Sequence, residues 1–100
     1  MNAWFMTKHS LNMPPGRPKG VTSFQLDVAK AFGRAVRRVR VSKQLTQEEL
    51  GNIAGIPGNH VSNIERGENS PTLSIVVKLA AALEVSSASL IAEMEDLLKK

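Results

Sequence analysis

The fold is decided by residues 45–67, which read LTQEELGNIAGIPGNHVSNIERG. Thr46 and Glu49 stand three residues apart in the order of a capping box, which predicts that a helix begins there. Gly55 follows the last turn of this helix, where a glycine supplies the positive φ with which many helices end. The side chains predicted to face inward from this helix are Leu50, Ile53 and Ala54.

A second short helix is predicted from about residue 57 or 58 to Arg66, and Gly67 ends it. Val61 and Ile64 are three residues apart, so they form its buried edge. The free face carries small or polar residues, namely Gly58, Asn59, His60, Ser62 and Asn63. This is the layout of a helix-turn-helix, whose second helix enters the DNA major groove.

The composition limits the functions open to this chain. One hundred residues predict one domain with one modest core. The absence of cysteine excludes disulfides and thiolate metal sites. No apolar run approaches the ~20 residues of a membrane span, and the start of the chain lacks a signal-peptide pattern. We therefore expect a cytoplasmic protein, associated with the nucleoid if it binds DNA.

The positive charges are concentrated in the first part of the chain, although the net charge is only +4. Residues 1–44 carry nine Lys and Arg and one acid, whereas residues 45–100 carry four bases and eight acids. This distribution suits a polyanion bound on one side of the molecule. A solvated surface with a chance asymmetry explains it equally well, so charge alone leaves both interpretations open.

Enzymatic chemistry is not predicted. His9 and His60 are far apart in the chain and belong to no metal-binding motif, and a glycine-rich phosphate loop is missing. We expect no enzyme activity, no cofactor, no metal, no small-molecule substrate and no membrane partner.

Residues 1–21 are predicted to form a flexible basic arm, because PPGRPKG at residues 14–20 suits neither a helix nor a central strand. The domain then occupies residues 22–100. Thr22 and Gln25 form a capping box, which predicts that the first helix begins at Thr22. Its apolar stripe consists of Val28, Phe32, Val36 and Val39, and the basic residues on the opposite side are Lys30, Arg34, Arg37 and Arg38.

Two further helices, at about residues 72–98, complete an all-α domain of five short helices. Thr72 is predicted to cap the fourth helix, and Ser86 or Ser87 to begin the fifth. The fifth helix has more apolar residues than a small core needs, namely Leu90, Ile91, Met94, Leu97 and Leu98. We expect them to form a dimer interface, and packing into the chain's own core is the alternative.

Six motifs in one order resemble the Cro/lambda-repressor (XRE-type) helix-turn-helix family. They are VRRVR at 36–40, LTQEEL at 45–50, AGI at 54–56, VSNIERG at 61–67, PTL at 71–73 and LAAAL at 79–83. The resemblance covers residues 27–92 and implies a lambda-repressor-like domain. It also implies a transcriptional regulator, most simply a repressor, that binds double-stranded DNA as a homodimer on a palindromic operator. A restriction–modification controller, or an antitoxin whose main partner is a toxin protein, remains open.

Two positions depart from the pattern of this family. Gly51 stands where alanine is usual, which keeps a helix crossing open but weakens the helix. Pro57 stands where the family has a capping Ser, Thr or Asp. A recognition helix that begins one residue later, with Asn59 as its cap, is therefore an open alternative.

The resemblance implies that Gln47, Arg66 and Asn69 hold DNA phosphates, with Gln47 acting from the positive end of its helix. It also implies a partly buried ion pair between Arg40 and Glu65, which ties the first helix to the third. This pair explains why an arginine lies at the edge of the apolar stripe.

The same resemblance assigns base reading to the third helix, through Gly58, Asn59, His60, Ser62 and Asn63. Asparagine presents one donor and one acceptor, which fits the N6 and N7 edge of adenine. Asn59 and Asn63 lie four residues apart on one face, so we expect both to read adenine.

Overall fold

The computed structural model describes the backbone of residues 18–99 and the side chains of residues 27–99. This part of the chain contains five helices and no strand, which confirms the predicted all-α fold. The helices are α1 (Pro18–Ser42), α2 (Gln47–Ala54), α3 (Gly58–Glu65), α4 (Leu73–Ala82) and α5 (Ser87–Lys99). α1 packs mainly against α5 and α3, whereas α2 packs against α3 and α4.

The start of α1 differs from the prediction. The helix begins at Pro18 rather than Thr22, so residues 18–21 are helical and Thr22 lies inside the helix instead of capping it. Proline is compatible with a first turn because its missing N–H would have no partner there. The remainder of the predicted arm, residues 1–17, lies outside the described residues.

The local signals that begin and end α2 are confirmed. The Thr46 hydroxyl accepts from the Glu49 N–H at 3.0 Å, and the Glu49 carboxylate accepts from the Thr46 N–H at 2.8 Å. Gly55 closes the helix with a φ of +77°. Each contact joins residues at most four apart, so the sequence alone specifies them.

Gly51 is the point where α2 comes closest to the chain that leads into α3. A Cβ at this position would lie 2.5 Å from the Ile56 carbonyl oxygen and 3.2 Å from the Gly58 nitrogen. The backbone therefore leaves no room for the alanine that the resemblance leads one to expect.

α3 begins at Gly58, with Pro57 in the N-cap position and no side-chain cap. The alternative of a later start capped by Asn59 is wrong. Proline pre-sets the extended approach to the helix through its fixed φ, here −63°, although it supplies no hydroxyl. At the other end, Gly67 leaves α3 with a φ of +72°.

The core lies where all five helices meet, and its largest fully buried side chains are Phe32, Val36, Leu50, Val61, Ile64, Leu79, Leu83 and Leu90. The prediction that Ile53 faces the core is wrong, because this residue is 59% exposed. The face of α2 that packs on its neighbours runs from Leu50 through Ala54 to Gly51. At about 100° per residue, Ile53 lies well to one side of that face.

The predicted dimer residues of α5 divide into two groups. Leu90 and Leu97 are only 1% and 5% exposed, because they fill the core against α1 and its neighbours. For these two residues the dimer prediction is wrong and the alternative of core packing holds. Ile91, Met94 and Leu98 pack against the same core but remain partly exposed.

No single helix within residues 18–99 is long and apolar enough to cross a membrane. α4 and α5 reach such a length and composition only as a pair, which is bent by 105°.

Candidate nucleic-acid interface

The start of α2 and the free face of α3 enclose an open groove of about 530 Å³. Its lining residues are Gln47, Glu48, Gly58, Asn59, Ser62, Asn63 and Arg66. The tertiary structure thus brings together six of the residues that the sequence predicted for DNA contact. His60, which is half-buried, and Asn69, which is exposed, do not line this groove. Glu48 was not predicted, and its carboxylate lowers the positive potential of the groove without removing the backbone N–H donors at the start of α2.

An ion pair between α1 and α3 holds α3 in place. Arg40 donates from Nε to Glu65 Oε2 at 2.6 Å and from Nη2 to Glu65 Oε1 at 3.0 Å. The third arm of the guanidinium donates to the Leu45 carbonyl oxygen at 2.7 Å. Only 11% of the Arg40 side chain and 3% of the Glu65 side chain are exposed. The pair that the resemblance implies is therefore present, with two parallel bonds and little solvent.

The hydrogen bonds from Arg40 to Glu65 raise the pKa of the guanidinium, and burial opposes this shift only in part. Because its pKa is raised, Arg40 stays charged over the whole pH range in which proteins are folded. Near neutral pH the ion pair is therefore not weakened by loss of a proton from Arg40.

Gln47 joins this buried pair, a contact that the sequence analysis missed. Its Nε2 donates to Glu65 Oε1 at 2.9 Å, across 18 residues of sequence. The contact links the first turn of α2 to the last turn of α3, so both walls of the groove are tied to one carboxylate. Among residues 27–99, no buried side-chain nitrogen or oxygen lacks a hydrogen-bond partner.

A second polar cluster runs along the free face of α3. Arg66 donates to the Ser62 hydroxyl, to Asn63 Oδ1 at 2.5 Å, and to both carboxylate oxygens of Glu68 at 2.8 and 3.2 Å. Arg66 and Glu68 are about half exposed, so their pairing adds little to stability. The effect of Arg66 is geometric, because its rigid guanidinium joins two predicted base readers, Ser62 and Asn63.

The ionisation of this cluster follows from its hydrogen bonds. Arg66 lowers the pKa of Glu68, first through hydrogen bonding and then through its charge, and Glu68 raises the pKa of Arg66. Both groups are therefore charged at neutral pH. The stability that the ionised Glu68 contributes is fully present at pH values above the pKa of an ordinary glutamate. It is lost as the pH falls through the lowered pKa of Glu68.

The sequence contained part of this signal. Ser62 and Asn63 stand four and three residues before Arg66, which are the spacings that bring side chains together on a helix. Glu68 lies beyond Gly67, in the loop after α3, and its approach depends on the backbone turn at that glycine. No helical periodicity could reveal it.

The basic face of α1 lies apart from the groove. Arg34, Arg37 and Arg38 are exposed, and Arg38 pairs with Glu93 of α5 at 3.1 Å. These residues match the predicted solvated face. Within residues 18–99 no group of three or more His, Asp or Glu is arranged to hold a metal ion.

Known proteins share this sequence pattern. The sequence profile of the helix-turn-helix family matches residues 36–90. An uncharacterized HTH-type transcriptional regulator of Sinorhizobium fredii is 35% identical over 71 residues, which are 71% of this chain and 92% of that protein. The cryptic phage CTXphi transcriptional repressor RstR of Vibrio cholerae is 38% identical over 64 residues, covering 64% of this chain and 58% of the repressor.

A solved structure shares the fold as well. The restriction-modification controller protein C.AhdI of Aeromonas hydrophila superposes with a TM-score of 0.61 at 34% identity, over 62% of this chain and 94% of that one. The family profile spans more than half of the present chain, including α2, the Gly55 turn and α3. The chain belongs to the helix-turn-helix family.

Proposed function

We propose that this protein is a transcriptional regulator, most simply a repressor, that binds double-stranded DNA as a homodimer on a palindromic operator. The observation that carries the proposal is the groove between α2 and α3, in which a polar helix face stands beside a helix N-terminus. The named relatives, which are regulators and a repressor, support the same assignment. Such a protein acts in the cytoplasm, where the DNA is.

The start of α2 is the proposed phosphate site. The first turn leaves the N–H groups of Gln47 and Glu48 without an acceptor inside the helix, and the helix dipole favours an anion there. Gln47 uses one amide hydrogen for Glu65, which leaves the second hydrogen for a phosphate oxygen. Asn69, exposed in the loop after α3, is proposed as a further phosphate contact.

The free face of α3 is the proposed base-reading surface. Gly58, Asn59, Ser62 and Asn63 line the groove, and Gly58 adds no side chain to it. His60, outside the groove lining, is retained as a contact at the edge of the site. This division into phosphate contacts that set position and base contacts that set specificity is general for DNA-binding proteins.

DNA binding by this protein is expected to depend steeply on salt. If about six to eight phosphates are neutralised per dimer, log K against log salt falls with a slope of about −5 to −7. Titration of labelled operator and of random duplex at four salt concentrations measures the slope. A slope near zero contradicts the DNA-binding assignment.

Two matched variants locate the phosphate contact in the same titrations. Gln47→Ala should weaken operator and random duplex by the same factor, about tenfold for a lost bond to a charged group. Asn52→Ala removes an amide from the exposed side of α2 and should change neither affinity. A loss confined to the operator would move Gln47 from phosphate binding to base reading.

The homodimer is proposed to form through the part of α5 that the core leaves uncovered, Ile91, Met94 and Leu98. Two α3 helices would then lie one DNA turn apart, about 34 Å, on a two-fold site. Leu98→Asp should give a folded monomer in sedimentation equilibrium, whereas Val77→Asp, on the exposed face of α4, should leave the dimer intact. The reverse outcome would place the interface on α4.

A controller of a restriction–modification system is a second candidate, favoured by the similarity in fold and sequence to C.AhdI. A controller regulates the genes of its own system, so its operator lies beside a restriction endonuclease gene. Sequencing the DNA that flanks the gene, together with footprinting of that DNA, decides between the two roles.

A further inference from the structure

The guanidinium of Arg66 is almost fully used by acceptors on and beside α3. Four of its hydrogen bonds go to the Ser62 hydroxyl, to Asn63 Oδ1 and to the two Glu68 oxygens. A guanidinium has five N–H groups, so one remains. Arg66 is therefore a bridge between residues of the groove before it is a ligand for phosphate.

This bridge determines which way the Asn63 amide faces. The oxygen and nitrogen of an asparagine amide are often interchangeable in position, but a guanidinium has only donors. The atom of Asn63 that meets Arg66 must therefore be the carbonyl oxygen. Its NH₂ group then points away from Arg66 and is the part of the side chain left for the groove.

Ser62 is affected in the same way. Its hydroxyl oxygen accepts from Arg66, which occupies one of its two lone pairs and leaves the hydroxyl hydrogen free to donate. One arginine thus occupies an acceptor site on two neighbouring side chains of the proposed reading face and leaves their donors free.

The major groove distinguishes donors from acceptors. Adenine presents an acceptor and a donor, so it pairs with an asparagine through both the amide nitrogen and the amide oxygen. Guanine presents two acceptors, N7 and O6, and is suited to a side chain that only donates. The Asn63 oxygen retains one lone pair, but a base N–H that donates to it competes with the cationic donor Arg66, whereas the NH₂ group is free for the acceptors of guanine.

We propose that Arg66, held by Glu68, is a positioning residue that fixes Asn63 as a hydrogen donor, so that the recognition helix reads guanine instead of adenine at this position. The proposal rests on the proposed function, in which α3 reads bases. It replaces the expectation of adenine reading that the residue type alone suggests for Asn63.

Glu68 has a defined part in this arrangement. It accepts from Nε and from one terminal nitrogen of Arg66, which sets the plane of the guanidinium and directs the remaining N–H groups toward α3. It also balances the charge of Arg66, which lowers the attraction of this side chain to a phosphate elsewhere on the DNA.

The test is selection of bound sites from a random DNA pool, with three variants beside the unaltered protein. Asn63→Ala identifies the base position that Asn63 reads, because the preference there is lost. The unaltered protein should select guanine at that position. Arg66→Met, which keeps the length of the side chain but removes its donors, should shift the ratio of guanine to adenine toward adenine by about tenfold.

Arg38→Met is the matched control. Arg38 is also an exposed arginine in an ion pair, but its partner is Glu93 on α5, away from the groove. This variant should leave every base preference unchanged. Adenine selected by the unaltered protein at the position read by Asn63, or no shift with Arg66→Met, overturns the proposal. So does an Asn63→Ala variant that alters no base position.

A measurement on the free protein separates this inference from the proposed function. The ¹³C chemical shift of the Asn63 side-chain carbonyl should change in Arg66→Met, whereas that of Asn59, on the same face but without a bond to Arg66, should stay. An unchanged Asn63 signal overturns the bridge even if DNA binding is observed. A changed signal in a protein that binds no DNA supports the bridge and leaves the proposed function as the part that failed.

Discussion

Glu65→Ala is expected to lower the free energy of unfolding by about 3–5 kcal/mol, the cost of leaving a buried charge unpaired. The substitution removes the acceptor of two hydrogen bonds from Arg40 and one from Gln47. With 11% of its side chain exposed, Arg40 has little access to water that could replace them. Urea unfolding followed by circular dichroism measures the change.

Two controls separate the stranded charge from the general effect of a mutation. Glu93→Ala breaks the exposed pair with Arg38 and should cost at most about 1 kcal/mol. The double variant Arg40→Met with Glu65→Leu replaces the buried pair by apolar side chains of similar volume and should cost far less than Glu65→Ala. If Glu65→Ala is as stable as Glu93→Ala, the buried pair does not support the fold.

The second large effect is expected for Gly33→Ala in the middle of α1. A Cβ at Gly33 would lie 2.2 Å from the Ile64 carbonyl oxygen and 2.7 Å from that of Glu65, where α1 crosses the end of α3. Alanine favours a helix by about 1 kcal/mol over glycine, but overpacking against a backbone typically costs 1–3 kcal/mol or more. We expect a net loss of about 2 kcal/mol and a displaced α3.

Gly58→Ala is the matched control, since it makes the same chemical change in a helix where the nearest atom, Glu48 Cα, is 3.4 Å from the new Cβ. It should leave the melting temperature nearly unchanged. Differential scanning calorimetry of both variants measures the effect. A Gly33→Ala variant that melts at or above the temperature of the unaltered protein would show that α1 and α3 are farther apart than this structure has them.

Local structure in this chain follows from short-range rules. The Thr46 and Glu49 capping box, the positive φ of Gly55 and the cap that Thr72 supplies to α4 are all present as predicted. Each depends on residues within one helical turn, and no distant part of the chain is needed to satisfy the hydrogen bonds concerned. The order of the helices follows from the same pattern.

The sequence predicts which apolar side chains are buried only where the apolar face of a helix has one possible packing partner. α5 is rich in leucine, and the sequence leaves open whether these side chains meet the same chain or a second copy. Packing against α1 decides this for Leu90 and Leu97, which are buried, and leaves Leu98 partly uncovered. Ile53 is the opposite case, because it was predicted to face inward and is exposed. The backbone at Ile56 comes close to Gly51, and this contact orients α2 so that Ile53 faces away from the core.

The chemistry of the groove depends on contacts that no periodicity encodes. Residue types and spacing predict that Gln47, Asn63 and Arg66 belong to the DNA interface, and the structure shows that all three line one groove. Only the folded chain brings Gln47 to Glu65 across 18 residues, and only the turn at Gly67 brings Glu68 back to Arg66. A hydrogen bond occupies one donor or acceptor site of a side chain, so the tertiary contacts of these residues determine which donors and acceptors remain for the proposed contacts with DNA.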